Sequence, residues 1–231
     1  MLGMVVIEIC VESLEEAITA CKSGANRIEL CDDLAVGGTT PSKELVAQVI
    51  EYCHAVNVKV YAMLRCRGGD FVYSNEEKSN MLTDCNSLLK AGVDGIVCGA
   101  LRRDGSIDRE FMKQIRRSSG SLPLTFHKAF DDSNDDVTRA MNVLDDIGFA
   151  RILSSGRSHT ALEGIDTLKH MVSLERPTVI VAGSVRAHNV NAILRATGPL
   201  EVHSRSPEIC NAILGYRWFV PTLSISHVIK R

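Results

Sequence analysis

Two hydrophobic periods alternate along the chain. Short β-rich runs, VVIEIC (5–10), VKVYAML (58–64), PLTFH (123–127) and PTVIVAG (177–183), are separated by stretches in which apolar residues recur at helical spacing. Leu14, Ala17, Ile18 and Cys21 fall on one such face, and Met81, Leu82, Cys85, Leu88 and Leu89 on another. Four further segments, GANRIELC (24–31), GVDGIVCG (92–99), GFARILSS (148–155) and GPLEVHS (198–204), start with glycine and run into a strand-like stretch. A glycine just past the last periodic residue is a usual helix stop, because it takes the left-handed conformation cheaply. These glycines therefore mark helix-to-strand junctions. The resulting order, strand then helix through eight strands, predicts parallel pairing and a (β/α)₈ TIM barrel formed as one domain. A doubly wound open sheet is the alternative, and the lack of GxGxxG or a P-loop after any strand counts against it.

Within the strands, parity sorts the side chains into two faces. The first strand sets Glu8 and Cys10 against Ile7 and Ile9, and the second sets Glu29 and Cys31 against Ile28 and Leu30. The fifth sets Thr125 and His127 against Leu124 and Phe126, and the eighth sets Glu201 and His203 against Leu200 and Val202. The apolar sets suit the helix layer, so the polar sets point into the barrel. Strands buried on both faces ordinarily read as continuous apolar runs. Here Glu8, Glu29, His127, Glu201 and His203 are expected to converge in the upper barrel, with Arg65 reaching the same space. Buried carboxylates must pair, bind a ligand or take up protons. One outcome is a self-satisfied ion network with Arg65 bridging two glutamates; the other is a ligand or catalytic pocket.

Ligands of parallel α/β folds bind at the carboxyl ends of the strands, so the loops there matter. In RCRGGDFVYS (65–74), Arg65 and Arg67 share a face and Cys66 has the opposite parity. A guanidinium pair beside Gly68–Gly69 suits a carboxylate or phosphate clamp, and Asp70 can hydrogen-bond into the loop. The next helix is expected near Ser74, with Glu76 and Glu77 in its first turn. In FHKAFDD (126–132), His127 and Asp131 could form an acid/base pair. The candidate catalytic set is Glu8, Glu29, Arg65 and His127. The candidate anion-binding set is Arg65, Arg67, Gly68, Gly69, Asp70, Asp131 and His203. No lysine has inward parity, since Lys128 lies opposite His127, which disfavours Schiff-base chemistry.

Composition narrows the setting. The 231 residues carry 26 basic and 28 acidic side chains, a net charge of −2, and few aromatics, so neither a nucleic-acid face nor a stacking platform is expected. MVVIEICV is too short and too interrupted for a membrane span or signal peptide. The eight cysteines show no CxxC spacing and read as reduced thiols of a cytoplasmic chain, a nuclear location being compatible.

The segments EICVES (8–13), NRIELC (26–31), GGTTPS (37–42), RGGDFVYS (67–74), TFHKAFD (125–131), SSG followed by ALEG (154–164) and EVHS (201–204) resemble, in order, the copper homeostasis protein CutC family. The resemblance implies a TIM barrel, a cytosolic homo-oligomer and Cu(I) binding by the cysteines that correspond to Cys10 and Cys31. Soft Cu(I) favours sulfur ligands, and Met63 could assist. Family members usually carry proline where Cys66 stands, so no metal role passes to that residue. The AGSVRAHN loop (182–189) has fewer glycines than usual. Residues 205–231 depart from the family and form a divergent tail on a domain spanning 1–204, leaving the eighth helix incomplete or altered. Three functions follow from the sequence: copper handling with a copper ion as ligand, an enzyme acting on a small anionic substrate, or a non-catalytic assembly protein.

Overall fold

A computed structural model describes residues 5–198 and 201–213. Eight strands, β1 (Val6–Val11), β2 (Arg27–Leu30), β3 (Lys59–Met63), β4 (Gly95–Cys98), β5 (Leu124–Phe126), β6 (Arg151–Ser154), β7 (Thr178–Val181) and β8 (Glu201–Ser204), pair in chain order, all parallel. The pairing of β1 with β8 closes the barrel. Around it lie α1 (Leu14–Ser23), α2 (Lys43–Ala55), α3 (Asn75–Ala91), α4 (Arg109–Ser118), α5 (Val137–Ile147), α6 (Ile165–Ser173), α7 (Val190–Thr197) and α8 (Ile209–Ile213). The chain is a (β/α)₈ barrel.

Local chemistry sets the helix limits. Gly24, Gly92, Gly148 and Gly198 each cap a helix with φ between 65° and 100°, as the four glycine-led segments predict. The side chains of Ser13, Ser42, Ser74, Asp108 and Asp136 accept first-turn N–H groups, satisfying donors that have no partner inside the helix. At α3 the capping is reciprocal, Ser74 with Glu77. The eighth helix is short within the described residues, and Ile209, Cys210 and Ile213 are buried, with Asn191 Nδ2 of α7 donating to the Ala212 carbonyl at 3.2 Å. The expected WFV packing cluster at 218–220 lies outside the described residues.

Strand parity divides the core in two. Ile7, Ile9, Val11, Ile28, Leu30, Val60, Ala62, Ile96, Leu124, Phe126, Ile152, Val179, Val181 and Val202 belong to the layer between barrel and helices. The alternate residues Cys10, Cys31, Tyr61, Met63 and Val97 pack inside the barrel on one side, and Leu153, Ile180 and Ala182 on the other. Inside, Gly95 leaves room for a large side chain, since a β-carbon there would lie 2.5 Å from the Tyr61 ring.

Candidate functional site

The lower barrel is an ion network. Arg27, at the start of β2, donates from Nε to Glu8 and from Nη2 to Glu201 at 2.5 Å. Arg151 Nε reaches Glu201 at 3.0 Å and its Nη1 reaches the Tyr61 hydroxyl at 3.2 Å. Arg27, not Arg65, is therefore the guanidinium that bridges two glutamates. Glu201 begins its strand level with Val6 and Ile180, so it sits low in the barrel and not in the upper pocket. Arg27 shares parity with Glu29 and Cys31, which is the signal in the sequence that would have found it.

Above this network the carboxylates meet a histidine. His203 Nδ1 lies 2.8 Å from Glu8 and 3.2 Å from Glu29. Burial opposes ionisation of Glu8, but Arg27 and His203 outweigh it and hold the carboxyl near about 2. Glu29 has weaker compensation; burial pushes it up to about 7, with the Glu8 charge adding to the rise. Burial disfavours the imidazolium of His203, yet Glu29, Cys10 and Glu8 together raise it well above the ordinary histidine value.

Cys10 and Cys31 come next up the barrel, on adjacent strands, with their sulfurs 3.8 Å apart. Ligating atoms of Cys10, Glu29 and Cys31 all lie within 4.8 Å of one another, and so do those of Glu8, Glu29 and His203. The two triads share Glu29. The hydrogen bond with Cys31, burial and the Glu29 charge push the Cys10 thiol far up. Its hydrogen bond with Cys10 favours the Cys31 thiolate, but burial and the charges of Glu29, Glu8 and Glu12 outweigh that and raise it too. Both thiols are protonated at neutral pH, and a metal must displace their protons.

These groups open into a cavity of about 350 Å³ at the carboxyl ends of the strands, lined also by Met63, Arg65, Phe71, His127 and Leu153. Glu8 lies beneath the cavity, fully buried. Arg65 is held by carbonyls: Nη1 donates to Val36 and Gly38 at 3.2 Å each, and Nη2 to Gly69 at 2.7 Å. His127 is buried, and its Nδ1 accepts from the Ala129 N–H at 3.2 Å. Burial and the Arg65 charge lower its pKa to about 3, so the ring is neutral.

Several residues expected at the site lie elsewhere. Arg67 points away from the cavity, pairing with Glu77 at 2.5 Å and with Asp70 at 3.1 Å. Alternation ends where the strand ladder ends, so parity with Arg65 does not carry Arg67 inward. Gly68 and Gly69 shape the loop instead. A β-carbon at Gly68 would lie 2.6 Å from Val36, and Gly69, at φ +82°, presents the carbonyl that receives Arg65. Cys66 packs on the helix-layer core, as its parity predicts. Asp131 does not meet His127. Its carboxylate accepts from Ser154 Oγ at 2.5 Å, from Ser155 N and Oγ at 2.9 Å, and from Arg157 N at 3.0 Å. Lys128, expected to face outward, is exposed but borders the cavity mouth, because the chain leaves β5 and enters a 3₁₀ turn over Lys128–Phe130. Among the described residues, no helix is long and apolar enough to cross a membrane.

Known proteins resemble this chain in sequence and architecture. The CutC family profile matches residues 5–207. A human copper homeostasis protein cutC homolog is 40% identical over 199 residues, 85% of this chain and 71% of the relative. The CutC family protein of Pasteurella multocida is 34% identical over 219 residues, 90% of this chain and 88% of its own length. The solved structure of CutC from Streptococcus agalactiae matches with a TM-score of 0.85 at 35% identity, covering 88% of this chain and all 100% of that one. Thiamine phosphate pyrophosphorylase from Pyrococcus furiosus, at 10% identity and a TM-score of 0.61 over 91% of this chain and 92% of its own, shares the fold alone. The chain belongs to the CutC family.

Proposed function

We propose that this chain is a copper homeostasis protein that binds Cu(I) inside the cell through Cys10 and Cys31. The observation that carries the proposal is the 3.8 Å separation of the two sulfurs at the floor of an open cavity. Soft thiolates select Cu(I), and the names of the human and mouse relatives point to the same metal. Met63 packs in the same apolar cluster and offers a thioether. Loading converts two thiols to thiolates, so two protons leave for each ion bound. Glu29, within 4.8 Å of both sulfurs and raised to about 7, is placed to receive the first of them.

The test is competition for Cu(I) against a chromophoric chelator in reducing buffer, comparing the native chain with the Cys10→Ser, Cys31→Ser double variant. One ion per chain, lost in the variant, is the expected result. Undiminished affinity in the double variant overturns the proposal.

A further inference from the structure

The part of the cavity wall at the ends of β3 and β5 has chemistry that copper does not use. Arg65 is 4% exposed, and no carboxylate pairs with it among the described residues. Three backbone carbonyls take up its terminal nitrogens, while Nε–H is buried and, among the described residues, makes no hydrogen bond, the Tyr73 hydroxyl beside the guanidinium being likewise without a partner. Partial charges on carbonyls do not replace a counter-ion, and a buried cation without one is costly unless a ligand supplies the missing charge.

His127 is 3% exposed and presents the same kind of deficit. Its Nδ1 accepts from Ala129, so the neutral ring carries its proton on Nε2, and that atom is buried without a partner among the described residues. Two adjacent cavity-lining side chains thus each hold an unused N–H donor.

Phe71 covers both. Its ring centre lies 4.7 Å from the Arg65 guanidinium carbon and 4.8 Å from the centre of the His127 ring. The electron-rich face of an aromatic ring is a weak substitute for an anion. The Phe71 backbone is anchored, its carbonyl accepting from Leu101 N–H at 2.9 Å, so the ring can leave by side-chain rotation without moving the loop. The side chain is half-buried and borders the cavity, which gives it somewhere to go.

We propose that Arg65 and His127 form a binding site for a small organic carboxylate, which takes the place of the Phe71 ring between them. Two N–H donors match the two oxygens of a planar carboxylate. A phosphate, with more acceptor oxygens than a carboxylate, would call for donors beyond these two. Leu34, Val36, Met63 and Leu153 make up the apolar part of the remaining lining, so the acid would carry a short apolar body against them. Exposed Lys128 and Arg205 border the cavity with exposed Asp132, two basic groups against one acidic on the approach.

The site does not depend on the copper proposal and is tested on metal-free, reduced protein. Butyrate is titrated by calorimetry, with butyramide as its neutral isostere and inorganic phosphate as the rival oxyanion, while ¹⁵N spectra follow the His127 ring. Saturable butyrate binding is expected, with a shift of the His127 Nε2 resonance and no response to butyramide. His127→Phe and Arg65→Met should each weaken binding about tenfold or more, and Phe71→Ala should tighten it. Arg65 also ties two loops together, so if its variant does not fold, His127→Phe and the wild-type ¹⁵N shift decide. Equal binding of butyramide, preference for phosphate, indifference to His127→Phe, or no binding at all would each overturn the proposal.

Discussion

Gly99 makes the space that the His127 ring occupies: a β-carbon at position 99 would stand 2.6 Å from Nδ1 and 2.7 Å from Cε1. Retreat of the ring would break the bond from Ala129 N–H to Nδ1 and push the Phe71 ring aside. Gly99→Ala should therefore cost about 1–3 kcal/mol through overpacking. Urea denaturation of the variant measures it, and the His127 ring resonances should shift even under native conditions. An unchanged midpoint would mean that this wall of the cavity is softer than its packing indicates.

The same histidine sets part of the acid sensitivity. In the folded chain, burial and the Arg65 charge keep its pKa down at about 3, whereas an unfolded histidine titrates near about 6.5. Between those values the unfolded state binds more protons, so this contribution to stability is whole above the unfolded pKa and declines as pH falls toward 3. The limiting slope is one proton, about 1.4 kcal/mol per pH unit. His203, whose pKa moves the opposite way, contributes with the opposite sign. Urea midpoints from pH 7.5 to 4 for the native chain and His127→Phe separate the two, and the native chain should lose stability more steeply.

The floor of the barrel is the more brittle part. Arg27→Met would leave Glu8 and Glu201 facing each other without the guanidinium that joins them, and breaking such a buried network from one side costs about 3–5 kcal/mol. Glu201→Gln should cost less, since an amide still accepts from Arg27 and Arg151. Thermal unfolding should rank them in that order. Reversal would mean that Arg151, and not Arg27, carries the balance of charge.

Much of this was legible in residue order. The four glycine stops, the eight strands and the inward face of β1, β2, β5 and β8 follow from periodicity alone, since one face of every strand must be apolar to hold the helices. Arg27 was equally legible, two residues before Glu29 on the same face. The height of each side chain was not. It depends on the stagger between neighbouring strands, which closure of the whole barrel imposes, so Glu201 sits at the floor while His203, two residues on, meets Glu29. Side-chain direction past a strand end was not legible either. Once the ladder stops, turn geometry decides, and it sends Arg67 out to Glu77 and leaves Lys128 at the cavity mouth.

Asp131 gives the sharpest division between structure and chemistry. Four hydrogen bonds from the Ser154–Arg157 loop converge on its carboxylate, two of them from backbone N–H groups, and none comes from His127. An amide at this position keeps one acceptor oxygen but turns an NH₂ toward donors, leaving at least one loop N–H unsatisfied. Asp131→Asn should cost about 1–3 kcal/mol and accelerate amide hydrogen exchange at Ser155 and Arg157. Cu(I) stoichiometry should stay unchanged, because the cysteines stand on β1 and at the end of β2, away from this loop. If Asp131 instead acted with His127 on a proton, the variant would alter the His127 titration and leave the exchange rates of the loop as they were. Hydrogen exchange and histidine ¹⁵N shifts on the same sample distinguish a clamp from an acid/base partner.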